Sequence, residues 1–151
     1  MRAVPDISKL GRMAEQRSVR FTVAGVALMQ HVASLLEPLN LTPSRALALG
    51  YIDAHPGCDQ TSLGKAMGMN RGSTMVLVDN LEAAGFVRRD PGPDRRTHAL
   101  HLTAEGQATM ENALRVNEEI LSTLLGGVQA PDWPIVARVI DDMLARAAAS
   151  D

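Results

Sequence analysis

The sequence predicts a mainly α-helical fold with one small β-hairpin, and three observations carry this prediction. Eight methionines and many alanines favour helix over strand, whereas aromatic residues make up only 3% of the chain. One central segment has the periodicity of an amphipathic helix, and a segment with strand-like alternation follows it. With 151 residues and 46% hydrophobic content, the chain is long enough to form one domain with a substantial core.

The amphipathic segment spans residues 69–85. Four of its residues recur at intervals that place them on one buried helix face: Thr74, Leu77, Val78 and Leu81. Gly85 follows the last of them, at the position where a left-handed residue commonly ends a helix. A shorter helix is predicted over residues 60–67, and Gly68 provides a tight turn between the two helices.

The hairpin is predicted over residues 86–102. Residues 86–90 and 97–102 have strand-like patterns, and Pro91-Gly-Pro-Asp94 has the composition of a turn. Helix, turn, helix and hairpin in this order form a winged helix-turn-helix, whose second helix enters the major groove of DNA. The order of elements therefore predicts DNA binding.

Helices are also predicted on the N-terminal side of this lobe. A first helix runs from Ser18, its N-cap, to Glu37, and it is apolar on two faces. Thr42 and Pro43 begin a second helix, which ends before a short strand at residues 57–59. Because a helix that is apolar on two faces needs two covering surfaces, we expect one face to meet a second subunit.

Two further helices follow the hairpin. Thr103 caps a long helix that ends near Leu125, and its stripe is Met110, Leu114, Asn117, Leu121 and Leu124. Asp132 begins the last helix, whose apolar stripe is Val136, Val139, Ile140, Met143 and Leu144. So regular a face on a terminal helix needs a partner surface, and together with the first helix it predicts a homodimer.

The charge distribution is more informative than the net charge. A net charge of −2 and a pI of 6.1 argue against a protein that coats nucleic acid without selectivity. Arginines concentrate in residues 1–20 and 88–96, whereas residues 107–151 are predominantly acidic. Small basic contact areas of this kind are typical of a site-specific binder.

The single cysteine, Cys58, cannot form an intrachain disulfide, which fits a reducing cytoplasm. We interpret it as structural rather than as a redox trigger, since no flanking base would activate it. No basic-then-apolar signal opens the chain, and no apolar run approaches the ~18 residues that span a bilayer. We therefore expect a cytoplasmic protein without a membrane partner.

Enzymatic chemistry has no support in the sequence. The four histidines lack the spacing of a metal cluster, and no serine lies in a nucleophile elbow. We therefore expect no metal, no cofactor, no catalytic residue and no enzymatic activity.

In four segments the chain resembles the MarR (multiple antibiotic resistance) family of transcriptional regulators. These segments are Leu41-Thr-Pro43, Val78-Asp-Asn-Leu-Glu-Ala-Ala-Gly85, Asp94-Arg-Arg96 and Leu102-Thr-Ala-Glu-Gly106. The resemblance implies a winged helix-turn-helix lobe over residues 41–106 and dimerisation helices over residues 1–40 and 107–151. It also implies a triangular homodimer on a palindromic operator, usually as a repressor. The protein is then expected to leave the operator when it binds a small effector, such as an aromatic or phenolic acid or its acyl-CoA thioester.

DNA contacts are predicted on the two helices of the lobe and on the hairpin. Asn70 suits adenine and Arg71 suits guanine, and the helix end that carries them reaches base edges. The other predicted contacts are Gln60, Thr61, Gly72, Ser73, Met75, Val76, Asp94, Arg95 and Arg96. The alternative for Asn70 and Ser73 is that they only cap the helix.

The hairpin tip is expected to act through its charge. A narrow minor groove has a strong negative potential that attracts arginine, so Arg95 or Arg96 is expected to insert there. Asp94 is expected to steady its neighbours by ion pairing, and Asp79 is a candidate partner for a wing arginine. A solvated turn without DNA contact is the alternative.

Met75 and Val76 depart from the resemblance, because the family often carries Thr-Arg in the exposed middle of this helix. Either these side chains contact thymine methyl groups, or base recognition shifts to Asn70, Arg71 and Ser73. The same apolar pair motivates a different class of function, a winged-helix module that binds another protein and no specific DNA.

An effector site is expected in the crevice beneath the dimer helices. Arg17, Arg20 and His31 are the candidate contacts for an anionic effector there. The alternative for His31 is a half-buried histidine whose hydrogen bonds are satisfied within the protein.

Overall fold

The computed structural model describes residues 6–92, 98–124, 126 and 130–149. Its helices are α1 (Arg17–Leu36), α2 (Pro43–Ala54), α3 (Gln60–Ala66), α4 (Arg71–Ala83), α5 (Ala104–Leu124) and α6 (Trp133–Ala148). Strands β1 (Val87–Pro91) and β2 (His98–Leu102) pair antiparallel, and 3₁₀ segments cover Ile7–Glu15, Glu37–Leu39 and Ala130–Asp132. The predicted class, mainly helical with a small β-wing, is confirmed. The chain divides into two compact units, Met1–Glu118 and Glu119–Asp151.

The core of the first unit lies where α2, α3, α4 and β2 meet. The predicted inner face of α4 is confirmed, because its buried residues are Thr74, Leu77, Val78 and Leu81. Leu49, Leu63 and Leu100 contribute fully buried side chains from the three neighbouring elements. Removing these apolar surfaces from water is the main stabilising contribution to the lobe.

Local signals mark three helix ends where the sequence predicts them. Thr42 caps α2 and accepts a hydrogen bond from a backbone N–H of its first turn. Thr103 Oγ1 accepts the backbone N–H of Gly106 at 3.0 Å and caps α5. Gly85 has φ +76° and follows α4, and the Phe86 N–H donates to the Leu81 carbonyl in a Schellman arrangement.

The predicted start of the first helix is wrong by a small margin. Helix α1 begins at Arg17, and Gln16 is its N-cap in an extended conformation. The preceding 3₁₀ segment ends at Glu15, so the chain turns into α1 immediately afterwards. Ser18 therefore lies inside the first turn, where its carbonyl accepts the Thr22 hydroxyl.

Helix α1 completely buries only Leu36, and Phe21, Leu28 and Met29 remain exposed. By length and composition the segment Arg17–Leu39 could cross a membrane, because an 18-residue window within it has a mean hydropathy of 1.4. The prediction that no apolar run approaches that length is therefore wrong. Scattered polar residues interrupt the runs in the sequence but leave the average hydropathy of the helix high.

The predicted stripe of α5 is buried at Met110 but not at Leu114, because the helix is rotated slightly from the predicted orientation. Met110 and Ala113 are buried, whereas Leu114, a member of the predicted stripe, is 55% exposed. Gly106 sets this rotation, because the backbone of Phe86 lies directly against it. Residues 106, 110 and 113 share one helix face, so fixing the first directs the other two inward.

Residues 57–59 form the predicted short strand only as a single bridge to β2. The Gly57 N–H donates to the Leu100 carbonyl at 2.9 Å, and the Leu100 N–H donates to the Cys58 carbonyl at 2.8 Å. This bridge holds the start of α3 beside β2.

Candidate nucleic-acid interface

Helix α4 has one buried face and one exposed face. Opposite its core residues, the side chains of Met75 and Val76 are 52% and 56% exposed. Arg71, Gly72 and Ser73 are also exposed, in the first turn of the helix. The structure therefore leaves the predicted contacts of α4 free to meet a ligand.

Asn70 caps α4, as the alternative interpretation held. Its Oδ1 accepts the backbone N–H of Ser73 at 2.9 Å, and its carbonyl accepts the Thr74 hydroxyl at 2.9 Å. The side-chain nitrogen of Asn70 makes no hydrogen bond within the part of the chain that the structure describes. Capping occupies the oxygen of this amide and leaves its donor available.

Helix α3 lies tightly against the start of α4. A Cβ at Gly64 would lie 2.7 Å from Thr74 Oγ1, so only glycine allows this approach. Asp59 caps α3 by accepting the Ser62 N–H at 2.7 Å, and this hydrogen bond lowers the pKa of the Asp59 carboxyl.

A cleft of about 460 Å³ lies between α3, α4 and the start of β2, and we call it the α3–α4 cleft. It brings together three predicted contacts, Gln60, Thr61 and Arg71. The other residues that line it are Asp59, Gly64, Lys65, Met69, Thr74 and His98. Lys65 and His98 were not among the predicted contacts, because only the packing of α3 against β2 places them in one cleft.

The hairpin is tied to α4 by Arg89, whose side chain is only 19% exposed. Its guanidinium donates to Asp79 Oδ1 at 2.5 Å and also to the Glu82 carboxylate. The prediction that Asp79 pairs with a hairpin arginine is confirmed, with Arg89 as the partner. Two acceptors on successive turns of α4 fix the direction of β1 relative to that helix.

The hairpin tip lies outside the described residues, and the predicted contacts Asp94, Arg95 and Arg96 lie there with it. At the base of the hairpin, Arg88 pairs with Asp90, and His101 Nε2 lies 3.7 Å from the same carboxylate. No group of three or more potential metal ligands occurs among the described residues.

A second cleft, of about 1000 Å³, lies between α1 and the start of α2, and we call it the α1–α2 cleft. Its lining is Thr22, Gly25, Val26, Met29, Gln30, Ala33, Ser34, Glu37, Asn40, Leu41, Thr42, Pro43 and Arg45. Arg17, Arg20 and His31 do not line it. Gln30 and Arg45 were not predicted, since which face of α1 is concave is a property of the tertiary structure.

His31 and Gln30 each contain a buried polar atom without a partner. These atoms are His31 Nε2 and Gln30 Oε1, and neither is hydrogen-bonded by any described residue. The interpretation of His31 as fully satisfied within its own chain is therefore wrong at Nε2. Unpaired buried polar atoms are uncommon in native proteins and often mark a missing ligand or partner.

Comparison with known proteins agrees with this geometry. The MarR family model matches residues 39–97, which include α2 to β1. A protein described as a transcriptional regulator for the hcr operon of Thauera aromatica is 31% identical over 107 residues, or 68% of this chain. The chain belongs to the MarR family. The match spans 64% of the length of the Thauera relative.

Two further similar proteins extend the comparison. The transcriptional regulator HosA of Escherichia coli is 25% identical over 76% of this chain and 87% of its own. The transcriptional repressor CouR, solved bound to a 23-mer DNA duplex, is 29% identical with a TM-score of 0.75. That match covers 92% of this chain and 96% of CouR. Members of the family are transcriptional regulators and not enzymes, in agreement with the prediction from the sequence.

Proposed function

We propose that this protein is a ligand-responsive transcriptional repressor that binds a palindromic operator as a homodimer. The exposed face of α4, held beside the hairpin by Arg89, is the observation that carries the proposal. The similar chain CouR is a repressor and was solved on duplex DNA. In a dimer, two such helices would enter successive major grooves about 34 Å apart.

Base contacts are assigned to the first turn of α4. The Asn70 amide nitrogen and the Arg71 guanidinium are donors without partners among the described residues, and both lie at the end that reaches base edges. Met75 and Val76, which follow on the same exposed surface, are suited to thymine methyl groups.

Gly72 gives the sharpest test of DNA binding. A Cβ at this position would meet only Asn70 Oδ1, at an ordinary 3.5 Å, so the fold itself does not require glycine. Gly72→Ala is therefore expected to leave the unfolding free energy unchanged or higher, and to weaken duplex affinity at least tenfold by blocking close backbone approach. Fluorescence anisotropy with promoter DNA from its own locus measures the affinity. Unchanged affinity would show that the backbone at Gly72 does not closely approach the DNA.

The contribution of the hairpin to DNA binding is tested separately. Arg96→Ala is expected to weaken binding to all duplexes and to flatten the salt dependence by about one unit for each subunit. An unchanged slope would remove Arg96 from the contacts.

The homodimer is supported by apolar surfaces that a single subunit leaves uncovered. On α6, Val139, Ile140, Met143 and Leu144 are 42–65% exposed. On α1, Phe21, Val26, Leu28 and Met29 are 38–60% exposed.

Leu144→Glu is the test of the dimer, and Leu47→Glu is its matched control. Both leucines are 65% exposed, so neither substitution disturbs a core, but only Leu144 lies on α6. Light scattering is expected to show a dimer for wild type and Leu47→Glu and a shift towards single subunits for Leu144→Glu. A wild-type protein that is a single subunit at all concentrations contradicts the proposal.

The effector is proposed to occupy the α1–α2 cleft, and its class is an amphipathic carboxylic acid. The cleft is mostly apolar, with the Gln30 amide in one wall and the Arg45 guanidinium in another. Repression is lifted if the effector binds more tightly to a dimer arrangement that does not fit two successive grooves.

Calorimetry with 4-hydroxybenzoate tests the effector site. Gln30→Leu is expected to weaken binding at least fivefold, and His55→Ala, on an exposed histidine outside the cleft, is expected to leave it unchanged. His31→Ala, measured alongside, decides whether His31 belongs to the site. Equal affinities for wild type and Gln30→Leu contradict the assignment.

A protein-interaction module without DNA binding is the second candidate. The exposed Met75-Val76 pair favours it, because an apolar patch on α4 could contact a protein partner. Absence of binding to every duplex from the protein's own promoter at low ionic strength would favour this alternative.

A further inference from the structure

We propose that the α3–α4 cleft holds one phosphate group of the operator backbone, with Lys65 as its principal cationic contact. The inference rests on the proposed DNA binding. It adds Lys65, which is not among the DNA contacts predicted from the sequence.

The cleft is built by three elements that converge beside the end of the hairpin nearest its tip. Helix α3 supplies Lys65, the first turn of α4 supplies Arg71, and the start of β2 supplies His98. His98 shares a strand face with the buried Leu100, two residues further on, because side chains alternate along a strand. The Cys58–Leu100 bridge then brings this face of β2 beside the start of α3.

The side chains that line the cleft favour an anion. Neither Lys65 nor Arg71 makes a hydrogen bond or salt bridge within the described part of the chain. Asp59 is the acidic residue of the lining. Its carboxylate accepts the Ser62 N–H and keeps its negative charge, and Lys65 is among the groups that lower its pKa. Two cations, Lys65 and Arg71, therefore face the cleft against one carboxylate, which leaves the lining with a net positive charge.

A phosphodiester is the anion that this location would meet. Gln60, Thr61 and Arg71, which line the same cleft, are proposed DNA contacts. Lysine binds phosphate as a point charge on a flexible stem and needs no planar, two-pronged partner. Such a contact fixes the position of a protein on the duplex without distinguishing base sequence.

Lys65→Gln is the test, and Lys9→Gln is the matched control. Lys9 is the only other lysine of the chain, and its side chain is 82% exposed on the N-terminal 3₁₀ segment. Each neutralised phosphate contributes about 0.9 to the slope of log affinity against log salt. For a dimer, Lys65→Gln is therefore expected to lower the slope by about 1.8, equally for promoter and unrelated duplexes. Lys65→Arg is expected to restore the slope, and Lys9→Gln to leave it unchanged.

Duplexes with a single neutral methylphosphonate linkage locate the phosphate. One linkage in each half-site is expected to weaken wild-type binding and to have no further effect on Lys65→Gln. If wild type binds a duplex and Lys65→Gln keeps the full slope, the cleft assignment is wrong while the proposed function stands. If wild type binds no duplex, both are wrong. Saturable binding of inorganic phosphate that requires Lys65, with an unchanged DNA slope, would also overturn the assignment.

Discussion

Gly106→Ala is expected to be among the most destabilising single-methyl changes in this protein. A Cβ at residue 106 would lie 1.9 Å from the Phe86 carbonyl oxygen and 2.8 Å from its carbonyl carbon. These are backbone atoms, so no side-chain rotation relieves the overlap. The first turn of α5 would have to move away from the end of α4.

That movement breaks contacts on both sides of the junction. The Phe86 carbonyl accepts the Thr103 N–H at 3.0 Å, and the Thr103 hydroxyl donates to the Gly85 carbonyl at 2.6 Å. Overpacking of a core costs about 1–3 kcal/mol, and each lost hydrogen bond adds about 1 kcal/mol. We expect a loss of about 3 kcal/mol, which corresponds to a fall of about 6–12 °C in Tm for a domain of this size.

Gly50→Ala is the matched control for this experiment. Gly50 lies inside α2, and apart from its chain neighbours and the nearby backbone of its own helix, no described atom lies within 4 Å of a Cβ placed there. Because alanine is the better helix former, this variant is expected to gain up to about 1 kcal/mol. Urea and thermal unfolding followed by circular dichroism measure both variants. A Gly106→Ala protein within about 0.5 kcal/mol of wild type would refute the proposed packing of α5.

Three further predictions concern the ends of α3 and α4. Arg89→Gln releases the hairpin from α4 and should therefore weaken duplex affinity by about 1 kcal/mol. Arg88→Gln should change the duplex affinity little. Anisotropy titrations measure the affinity of both variants. Asp59→Ala should lower the unfolding free energy, measured by urea unfolding at neutral pH, by about 1 kcal/mol. Because hydrogen bonding lowers the pKa of the Asp59 carboxyl, this contribution is present above the ordinary value of 3.8 and is lost as pH falls through the lowered pKa. Burial, followed by the charge of Asp59, raises the pKa of the Cys58 thiol, so alkylation by iodoacetamide at pH 8 should be slower than that of glutathione.

Each of these predictions has an outcome that contradicts it. Equal affinities for the Arg89 and Arg88 variants would show that the ion pairs with α4 do not orient the hairpin. A stability difference between Asp59→Ala and wild type that persists at pH 2 would mean that the carboxylate charge is not its source. Alkylation of Cys58 as fast as that of glutathione would argue against its desolvation.

The sequence predicted the elements whose signals are local. Thr42, Thr103 and Gly85 mark helix ends because a cap acts over three or four residues. The buried face of α4 was also predicted, because helical periodicity alone places those residues together. For the same reason, the exposed residues proposed to contact DNA could be selected from the sequence.

Predictions that needed the rotation or curvature of a helix were less successful. Leu114 and Ala113 are adjacent and both apolar, and only the contact of Gly106 with Phe86 decides which of them faces the core. Likewise, the sequence placed His31 on α1 but did not show that Gln30 lines the α1–α2 cleft.

The sequence by itself determined the order of the helices and hairpin, the caps at Thr42, Gly85 and Thr103, and the composition of the exposed face of α4. Only the tertiary structure decided that Lys65 and His98 line one cleft and that Arg89 connects the hairpin to α4. The physical reason is separation along the chain. Periodicity and capping act within a few residues, whereas these groups are brought together by packing between elements that are distant in sequence.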